Sequence, residues 1–303
     1  MVQLSCADWR AVRAWPLPGG ASAQVHAVEI EHPDGSSGRL VLRQYGAANL
    51  SADSHAAITE YRLLKLLRQA RLPVPRPWHA DESGAILPGP WLLIGYIDGE
   101  AITDPADLAT AGGLTPFLGS LAQALAALHE TGLRRADVPF LADAAVALPA
   151  ANSPAPDEAL SETVIRAALA RAWPPPAVNQ PVVLHGDYWP GNVLWRDGRV
   201  AGIVDWEDAM FGDPLADLGV ARLELSWFFG PAAARDFTGR YLALCPAVDV
   251  GALALWDLRA ALRPAGKLAG WGLSAAQQAR MIAAHRQFVS EALGQLEDAR
   301  RRS

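Results

Sequence analysis

The stretch LHGDYWPGNVLW, residues 184–195, carries a His, an Asp and an Asn between two apolar segments. Taken by itself, this stretch is ambiguous. A loop Asp such as Asp187 often accepts hydrogen bonds from nearby backbone N–H groups, so an ordinary turn is one interpretation. A loop that holds an acid and a ligand over a site is the other. The residues that follow decide between them, because the next apolar strand ends at a second acid, Asp205.

The spacing of these side chains matches what phosphoryl transfer needs. Asp187 and Asn192 follow the pattern D-x-x-x-x-N, which is the spacing of the protein-kinase catalytic loop. In that chemistry one carboxylate meets the acceptor hydroxyl, while a second carboxylate and an amide oxygen hold Mg²⁺. Asp205 lies where the second carboxylate should be. The pattern favours a site over a turn, and we interpret His185 mainly as a packing residue.

The N-terminal part of the chain supplies a complementary pattern. Strands over Val25–Ile30 and Leu40–Tyr45 flank a turn-rich segment, which predicts a β-hairpin. Arg43 lies on the second strand, and Glu60 lies on a helix predicted from the apolar spacing of residues 54–70. A strand cation paired with a helix carboxylate is the other half of the kinase pattern.

The order of the predicted elements indicates two domains. An apolar strand over Trp91–Ile97 is followed by Asp98-Gly99, and the chain beyond this step is mostly helical. Thr115-Pro116 predicts the start of one of these helices, with a capping hydroxyl before a proline. We therefore expect an α+β protein with a small, strand-rich domain over residues 1–98 and a larger, mainly helical domain over residues 99–303.

Three motifs together resemble a known family. HGDYWPGN (185–192) is followed by IVDWED (203–208) and GDPLADL (212–218). This order resembles the aminoglycoside phosphotransferase family, which is related to choline kinase and is similar in fold to protein kinases. The resemblance implies a two-lobed fold, with a small antiparallel-sheet N-lobe that binds nucleotide and a larger helical C-lobe that carries catalysis and substrate binding. It also implies ATP, with GTP as the alternative, and Mg²⁺ as cofactors.

The resemblance implies a role for each matching position. Asp187 is then the catalytic base or the group that orients the acceptor hydroxyl, and Asn192 and Asp205 bind Mg²⁺. The remaining positions are nucleotide contacts: Gly19, Gly20 and Ser22 over the phosphates, Arg43 on the phosphates and held by Glu60, and the backbone of Gly95, Tyr96 and Ile97 against adenine. Taken alone, the glycine pair favours an ordinary loop, because such pairs are common in loops. His185 and Asp217 are expected to brace the catalytic loop.

Two features qualify the expected activity. Kinases carry Lys on the strand where this chain has Arg43, and an arginine binds phosphate as a rigid fork and not as a point charge. A non-catalytic nucleotide-binding module is therefore kept as the alternative to an active phosphotransferase. The chain also lacks the A-P-E motif and the long activation segment of protein kinases, so the expected acceptor is a small-molecule hydroxyl group, as on an amino sugar, choline, homoserine or a macrolide.

The acceptor contacts are expected in the C-terminal helices. Glu224 and Asp257 could meet a cationic amine, and Trp227 could stack on the acceptor. Packing in the helical core is the alternative for these side chains. Glu207 and Asp208 are acids that either support the metal ligands or face solvent, and the sequence does not separate the two.

Composition disfavours some partners. The net charge of −6 disfavours nucleic acid and anionic membranes as partners. The two cysteines are far apart, which predicts neither a disulfide framework nor a zinc site. Charged residues interrupt the N-terminal segment, so we expect no signal peptide and a cytoplasmic location. A monomer and a homodimer are both compatible with the sequence.

Overall fold

The computed structural model describes residues 9–17, 23–144, 148 and 155–302, and it divides into two compact units. The first unit extends to Gly99 and also includes Ala201–Glu207, while the second comprises Glu100–Val200 and Asp208–Ser303. A domain boundary at residue 98 predicts that residues 201–207 belong to the C-terminal domain. The structure places them in the first unit, where the Ile203 amide donates a hydrogen bond to the Pro73 carbonyl oxygen at 2.7 Å.

The first unit is built on a five-stranded antiparallel sheet in the order β1-β2-β3-β5-β4. The predicted hairpin is confirmed as β2 and β3, and the apolar segment after it forms β5. Strand β1 was not predicted; it lies at the sheet edge and is almost wholly exposed, so it lacks a buried stripe. The strands are β1 (Arg10–Pro16), β2 (Ala23–Glu31), β3 (Ser37–Tyr45), β4 (Pro77–Asp81) and β5 (Trp91–Gly95).

Helix α2 (Ala56–Gln69) confirms the helix predicted over residues 54–70 and follows the short helix α1 (Ala47–Ala52). Its leucines Leu63, Leu64 and Leu67 are fully buried and recur at helical spacing. Glu60 lies on the same buried side, with only 2% of its surface exposed. A carboxylate in that position needs a partner, because a buried charge is costly unless it is paired.

The second unit is mainly helical and is organised around α5 (Leu215–Phe229). Residues 215–223 of this helix are all buried, which is the property of a central helix without a solvent face. Gly219 permits the closest packing, because a Cβ added there would lie 2.8 Å from the Trp256 carbonyl oxygen. The other helices are α3 (Leu114–His129), α4 (Glu162–Leu169), α6 (Pro231–Leu244), α7 (Leu253–Ala261) and α8 (Ala275–Arg302).

The predicted start of α3 was wrong by a small shift. The helix begins at Leu114 and follows Gly112 and Gly113, whose φ angles of 75° and 101° turn the chain. Thr115 and Pro116 therefore lie inside the first turn, and Thr115 does not act as the cap. Ser274 caps the start of α8: its amide donates to the Gln277 side chain, and its hydroxyl oxygen accepts from the Gln277 amide.

Short strands in the second unit position the loop that carries Asp187. β11 pairs with β8 antiparallel and with β7 parallel, and the residues after β8 form the loop that leads to a 3-10 turn at Pro190–Asn192. These strands and the others that follow residue 99 are β6 (Glu100–Ala101), β7 (Ala142–Asp143), β8 (Val182–Leu184), β9 (Val193–Arg196), β10 (Arg199–Ile203) and β11 (Met210–Gly212).

Within the described residues, no single helix has the length and apolar character needed to cross a membrane. One bent pair of helices, Pro105–Ala111 with Leu114–His129, meets the length and composition test only when its two parts are taken together across a 74° bend.

Candidate active site

The loop after β8, which carries Asp187, is held by a buried carboxylate on α5. Asp217 accepts hydrogen bonds from the His185 amide at 2.7 Å and from the Gly186 amide at 2.8 Å. Gly186 has φ of 81°, and a Cβ there would lie 1.8 Å from the Asp208 carbonyl oxygen, so only glycine fits. The loop therefore leaves β8 in one conformation, as expected for the bracing role predicted for Asp217.

The Asp217 carboxylate is itself held by a neighbouring buried side chain, His129. His129 Nε2 lies 3.2 Å from Asp217, and its Nδ1 lies 2.7 Å from the Tyr241 hydroxyl. Burial alone would raise the pKa of Asp217, but the hydrogen bond and charge of His129 hold that pKa below its usual value. The loop amides thus bind an ionised acceptor, which gives stronger hydrogen bonds than a neutral one.

Both oxygens of the Asp187 carboxylate have fixed partners. Arg263 donates from one terminal nitrogen to Asp187 Oδ1 at 2.7 Å and to Asp208 Oδ2 at 3.2 Å, and from the other to the Gly186 carbonyl oxygen. Asn192 Nδ2 donates to Asp187 Oδ2 at 3.0 Å and to its backbone oxygen at 2.9 Å. Asp187 is about 29% exposed, so its carboxylate is oriented and still accessible.

The Asn192 side chain is oriented by the same bonds. Because its NH₂ group donates to Asp187, its amide oxygen is the atom left to accept or to ligate. That is the atom that the predicted magnesium role requires. His185 Nδ1 accepts from the Asp187 amide at 3.3 Å, and its ring packs edge-on to Tyr188. The His185 side chain is fully buried, which agrees with its interpretation as a packing residue.

Glu224 lies beside this group on α5. Burial and then the negative charge of Asp187 raise the pKa of Glu224 to about 8, while Arg263 opposes the shift. Arg263 itself keeps its charge: burial opposes ionisation, but Asp187 and Asp208 raise its pKa above the usual value. At neutral pH Glu224 is therefore mostly a neutral carboxyl group, which donates and accepts hydrogen bonds more readily than it pairs with an amine.

The first unit contains a second charged group, centred on Arg43 of β3. Its guanidinium donates to Asp205 Oδ1 at 2.6 Å and to Glu207, and it lies 3.7 Å from Glu60. Glu60 also accepts from the Tyr45 hydroxyl at 2.6 Å. Burial would lower the pKa of Arg43, but these carboxylates hold it well above its usual value. The predicted pairing of Arg43 with Glu60 is present, and two further acids share the same cation.

Asp205 has an uncommon backbone conformation. Its φ of 66° is left-handed, a region that non-glycine residues adopt infrequently and often at functional sites. Glu207, which the sequence left undecided, is tied to Arg43 and accepts a hydrogen bond from Asn49 Nδ2 at 2.9 Å. It is therefore part of the charged group and not a solvated acid.

The expected adenine-contacting segment follows β5. The Gly95 amide donates to the Arg76 carbonyl oxygen at 2.7 Å, and the Tyr96 amide donates to the Arg39 carbonyl oxygen at 3.2 Å. Both amides therefore already donate hydrogen bonds within the first unit. Of the three backbone amides expected to contact adenine, this leaves the amide of Ile97. The Ile97 side chain packs against Gly202, where an added Cβ would lie 2.3 Å from it.

The remaining predicted residues fall into two groups. Gly19, Gly20 and Ser22 lie outside the described residues. Asp257 requires a correction: it is 1% exposed and binds Arg222 through both oxygens at 2.9–3.2 Å, so it is engaged in an internal ion pair and cannot meet an acceptor amine. Trp227 packs edge-on to Trp271 and joins the helical core, in line with the packing alternative.

The donor atoms fit Mg²⁺ better than a softer metal. Asp205 and Asn192 offer a carboxylate oxygen and an amide oxygen, and hard oxygen ligands are what Mg²⁺ prefers. Among the residues that the structure describes, no three His, Cys, Asp or Glu side chains form a group that could hold a metal ion. Mg²⁺ usually takes few protein ligands and completes its shell with phosphates and water.

The model of the phosphotransferase enzyme family matches residues 14–261 of this chain. The chain belongs to this family. A solved relative is an amicoumacin kinase in complex with AMP-PNP, Ca²⁺ and Ami; it is 16% identical, with a TM-score of 0.58, over 92% of this chain and 88% of that one. At this identity the likeness shows the fold, which is the two-lobed, protein-kinase-like α+β architecture that the motifs implied.

Curated relatives match shorter parts of this chain. The mouse acyl-CoA dehydrogenase family member 10 is 26% identical over 198 residues, which are 61% of this chain and 18% of that protein. Viomycin phosphotransferase from Streptomyces vinaceus is 38% identical over 73 residues, or 23% of each chain. The matched segments thus cover only about a fifth of the length of each of these two curated relatives.

Sequence reasoning missed Arg263, although it fixes the orientation of Asp187. The two residues are separated by 76 positions, and Arg263 belongs to no motif. Arginines close to helix ends are common, so the sequence carried no signal that could have found this one. Only the packing of α7 against α5 brings it to the loop.

Proposed function

We propose that this phosphotransferase moves the γ-phosphate of ATP, or of GTP, to a hydroxyl group of a small molecule. The observation that carries the proposal is the fixed Asp187 carboxylate, held by Arg263 on one oxygen and by Asn192 on the other. Such pre-orientation lets a carboxylate receive a hydroxyl hydrogen without reorganisation. The alternative, a non-catalytic nucleotide-binding module, has no comparable need for a fixed and accessible carboxylate.

In the proposed reaction the acceptor hydroxyl donates a hydrogen bond to Asp187. Its oxygen forms a bond to the γ-phosphorus while the bond from that phosphorus to the β,γ-bridging oxygen breaks, which yields ADP and a phosphate monoester. The hydroxyl proton passes to Asp187 and then to solvent. Mg²⁺, when bound by Asn192 and Asp205, would neutralise charge on the phosphates. Arg43, which Glu60 and Glu207 also contact, is proposed to position Asp205. The backbone around Ile97 is proposed to contact the purine.

The test compares the protein with its Asp187→Asn variant. Both are incubated with Mg²⁺ and ATP or GTP and a panel of amino sugars, choline, homoserine, macrolides and hydroxy acids, and products are detected by mass. We expect transfer that falls by roughly 10²–10⁴-fold in the variant, the range for loss of a general base. Asp197→Asn is the matched control, because Asp197 is 92% exposed.

Two other outcomes would contradict the proposal. A nucleotide that raises the melting temperature without transfer or slow hydrolysis would support the binding module. A protein whose melting temperature does not respond to Mg²⁺ and nucleotide would exclude both functions, because any ligand of the native state stabilises it.

A further inference from the structure

Glu224 on α5 is a carboxyl group that the proposed reaction does not yet use. With the residues that the structure describes it forms no hydrogen bond and no salt bridge, and neither of its oxygens is among the enclosed polar atoms that lack a partner there. The side chain is half-buried, so solvent or a ligand can reach it. Polar groups that leave water are normally hydrogen-bonded. The partner of this carboxyl group is therefore expected from outside the described chain.

Two connections place Glu224 beside the oriented Asp187 carboxylate. The charges of Asp187 and Arg263, which are joined at 2.7 Å, both act on Glu224, and such effects fall with distance. The second connection runs through two aromatic rings. Phe228 lies one turn after Glu224 on the same face of α5, and its ring stacks on Trp189 with 5.7 Å between the centroids. Because Trp189 follows Asp187 by two residues, the loop and this helix face form one surface.

The charged groups around Glu224 already balance one another. Arg263 binds Asp187 at 2.7 Å and Asp208 at 3.2 Å. Arg259 lies close enough to Arg263 for the two positive charges to act on each other, which adds a second cation to the two acids. The buried acids of α5 and α7 have partners of their own, which are Asp217 with His129 and Asp257 with Arg222. No unpaired carboxylate is therefore left among these groups for an ammonium ion.

The Glu224 carboxyl group itself keeps its proton. It has no donor to stabilise the ionised form, and an anion lies beside it. Burial and then the charge of Asp187 raise the pKa of Glu224 to about 8, so it is mostly protonated at neutral pH. A protonated carboxyl group donates one hydrogen bond and accepts others, which matches a hydroxyl or ether oxygen of a ligand. An ammonium ion has donors only and gains no charge pairing from it.

We propose that Glu224 determines the class of acceptor: its carboxyl group donates a hydrogen bond to an oxygen next to the hydroxyl group that meets Asp187, and so selects an uncharged, polyhydroxylated molecule. The half-buried rings of Trp189 and Phe228 suit such a molecule, because aromatic rings pack against the C–H face of a sugar-like ring. This inference rests on the proposed function and names its acceptor class. It replaces the amine contact that the sequence predicts for Glu224.

The first experiment measures acceptor binding without turnover. Calorimetric titrations with Mg²⁺ and a non-hydrolysable ATP analogue compare glucose and galactose with their 2-amino and uronate counterparts, which share a ring and differ in charge. The pH is slightly acidic, so that the amines are protonated. We expect the uncharged sugars to have the lowest Kd. Glu224→Leu should raise that Kd by about 3-fold to 10-fold, the range for one hydrogen bond between uncharged groups.

A second variant separates hydrogen bonding from a structural role. Glu224→Gln keeps an N–H donor and cannot ionise, so its Kd for the uncharged sugars should not change with pH. The Kd of the wild-type protein should rise above about pH 8, where the carboxyl group loses its proton. Infrared difference spectra should show the C=O stretch of a protonated carboxyl group in the wild-type protein and not in Glu224→Gln. The control is Asp197→Asn at an exposed position, which should change neither the Kd nor its pH dependence.

Three outcomes of these titrations would overturn the inference. The first is tighter binding of the amino sugars or the uronates than of the uncharged sugars. The second is a Kd for the uncharged sugars that a folded Glu224→Leu variant leaves unchanged. The third is the absence of binding by every uncharged sugar.

The second experiment measures phosphate transfer to the same sugars and distinguishes this inference from the proposed function. Transfer that favours the uncharged sugars, with a KM that Glu224→Leu raises while the KM of ATP stays constant, would support both. Transfer that favours the amino sugars would reject the inference and keep the proposed function. Binding of uncharged sugars that depends on Glu224, without transfer to any acceptor, would reject the proposed function and the acceptor role, and leave only a sugar-binding site.

Discussion

Arg43 is the residue on which the charges of the first unit converge. It is 6% exposed and shares its guanidinium among Glu60, Asp205 and Glu207. A planar group with five donors can reach several acids at once, whereas the ammonium of the lysine found in kinases is a single point. The arginine therefore suits a strand position that faces three carboxylates, and its presence does not by itself argue against activity.

Removal of this cation should be strongly destabilising. We expect Arg43→Met to lower the free energy of unfolding by about 3–5 kcal/mol, because it leaves the buried Glu60 carboxylate and the two half-buried carboxylates of Asp205 and Glu207 without a cation. Urea denaturation followed by circular dichroism measures the change. Adding Glu60→Gln should restore part of the loss, since the double variant no longer buries that charge. A loss below about 1 kcal/mol would mean that the Arg43 group does not act as a unit.

Glu224 gives the protein a predictable response to pH. Its pKa of about 8 in the folded protein lies above the ordinary value of 4.5. Between these values the native state keeps a proton that the unfolded state has lost, so stability falls as pH rises and the loss is complete above about pH 8. Glu224→Gln should therefore raise the melting temperature at about pH 9 and change it little below about pH 4.5.

The control for this prediction is a solvent-exposed carboxyl group of the same protein. Glu297→Gln, on the exposed side of α8, should give the same melting temperature difference at every pH. If the Glu224→Gln difference were also independent of pH, Glu224 would titrate normally.

At the scale of elements, α5 depends on its close approach to α7. A methyl group at Gly219 would lie 2.8 Å from a backbone oxygen of α7, which cannot move as a side chain can. We expect Gly219→Ala to destabilise the protein by about 1–3 kcal/mol, the usual cost of overpacking. Gly239→Ala on α6 is the matched control: nothing lies within 4 Å of its Cβ position, so it should stabilise by about 0.5–1 kcal/mol. Thermal denaturation of both variants measures the two changes in stability. Changes of the same sign would contradict the packing argument.

Elements and residues were predictable to the extent that their causes are local. The pairing of Asp187 with Asn192 could be predicted from the sequence because a single loop supplies both groups. Helix α2 could be predicted because its leucines repeat at the helical period. The start of α3 was misplaced because two glycines with positive φ set it and not the expected cap. Arg263 was not predictable, because its contact with Asp187 depends on the packing of distant helices.

At the scale of the whole molecule, the first unit is not a continuous piece of chain. Residues 201–207 supply two of the three acids around Arg43 and a backbone hydrogen bond to Pro73. A fragment of residues 1–99 therefore retains a buried arginine with only Glu60 beside it. We expect this fragment to unfold at a markedly lower temperature than the intact protein, or without cooperativity, in a calorimetric scan.

A matched variant tests whether the buried charges, and not truncation itself, lower the melting temperature of the fragment. Arg43→Met together with Glu60→Gln removes the buried charges, so the same substitutions should raise the melting temperature of the fragment while they lower that of the intact chain. A wild-type fragment that unfolds as cooperatively as the intact protein would show that residues 201–207 are dispensable for the first unit.

The discontinuous first unit also limits how members of this family can exchange segments. A chimaera joined after residue 99 would take Arg43 and Glu60 from one parent and Asp205 and Glu207 from the other. Recombination at that point succeeds only if both parents carry the same pairing of strand cation and acids. The short segment 201–207 should therefore be inherited with the N-terminal hundred residues and not with the sequence that surrounds it.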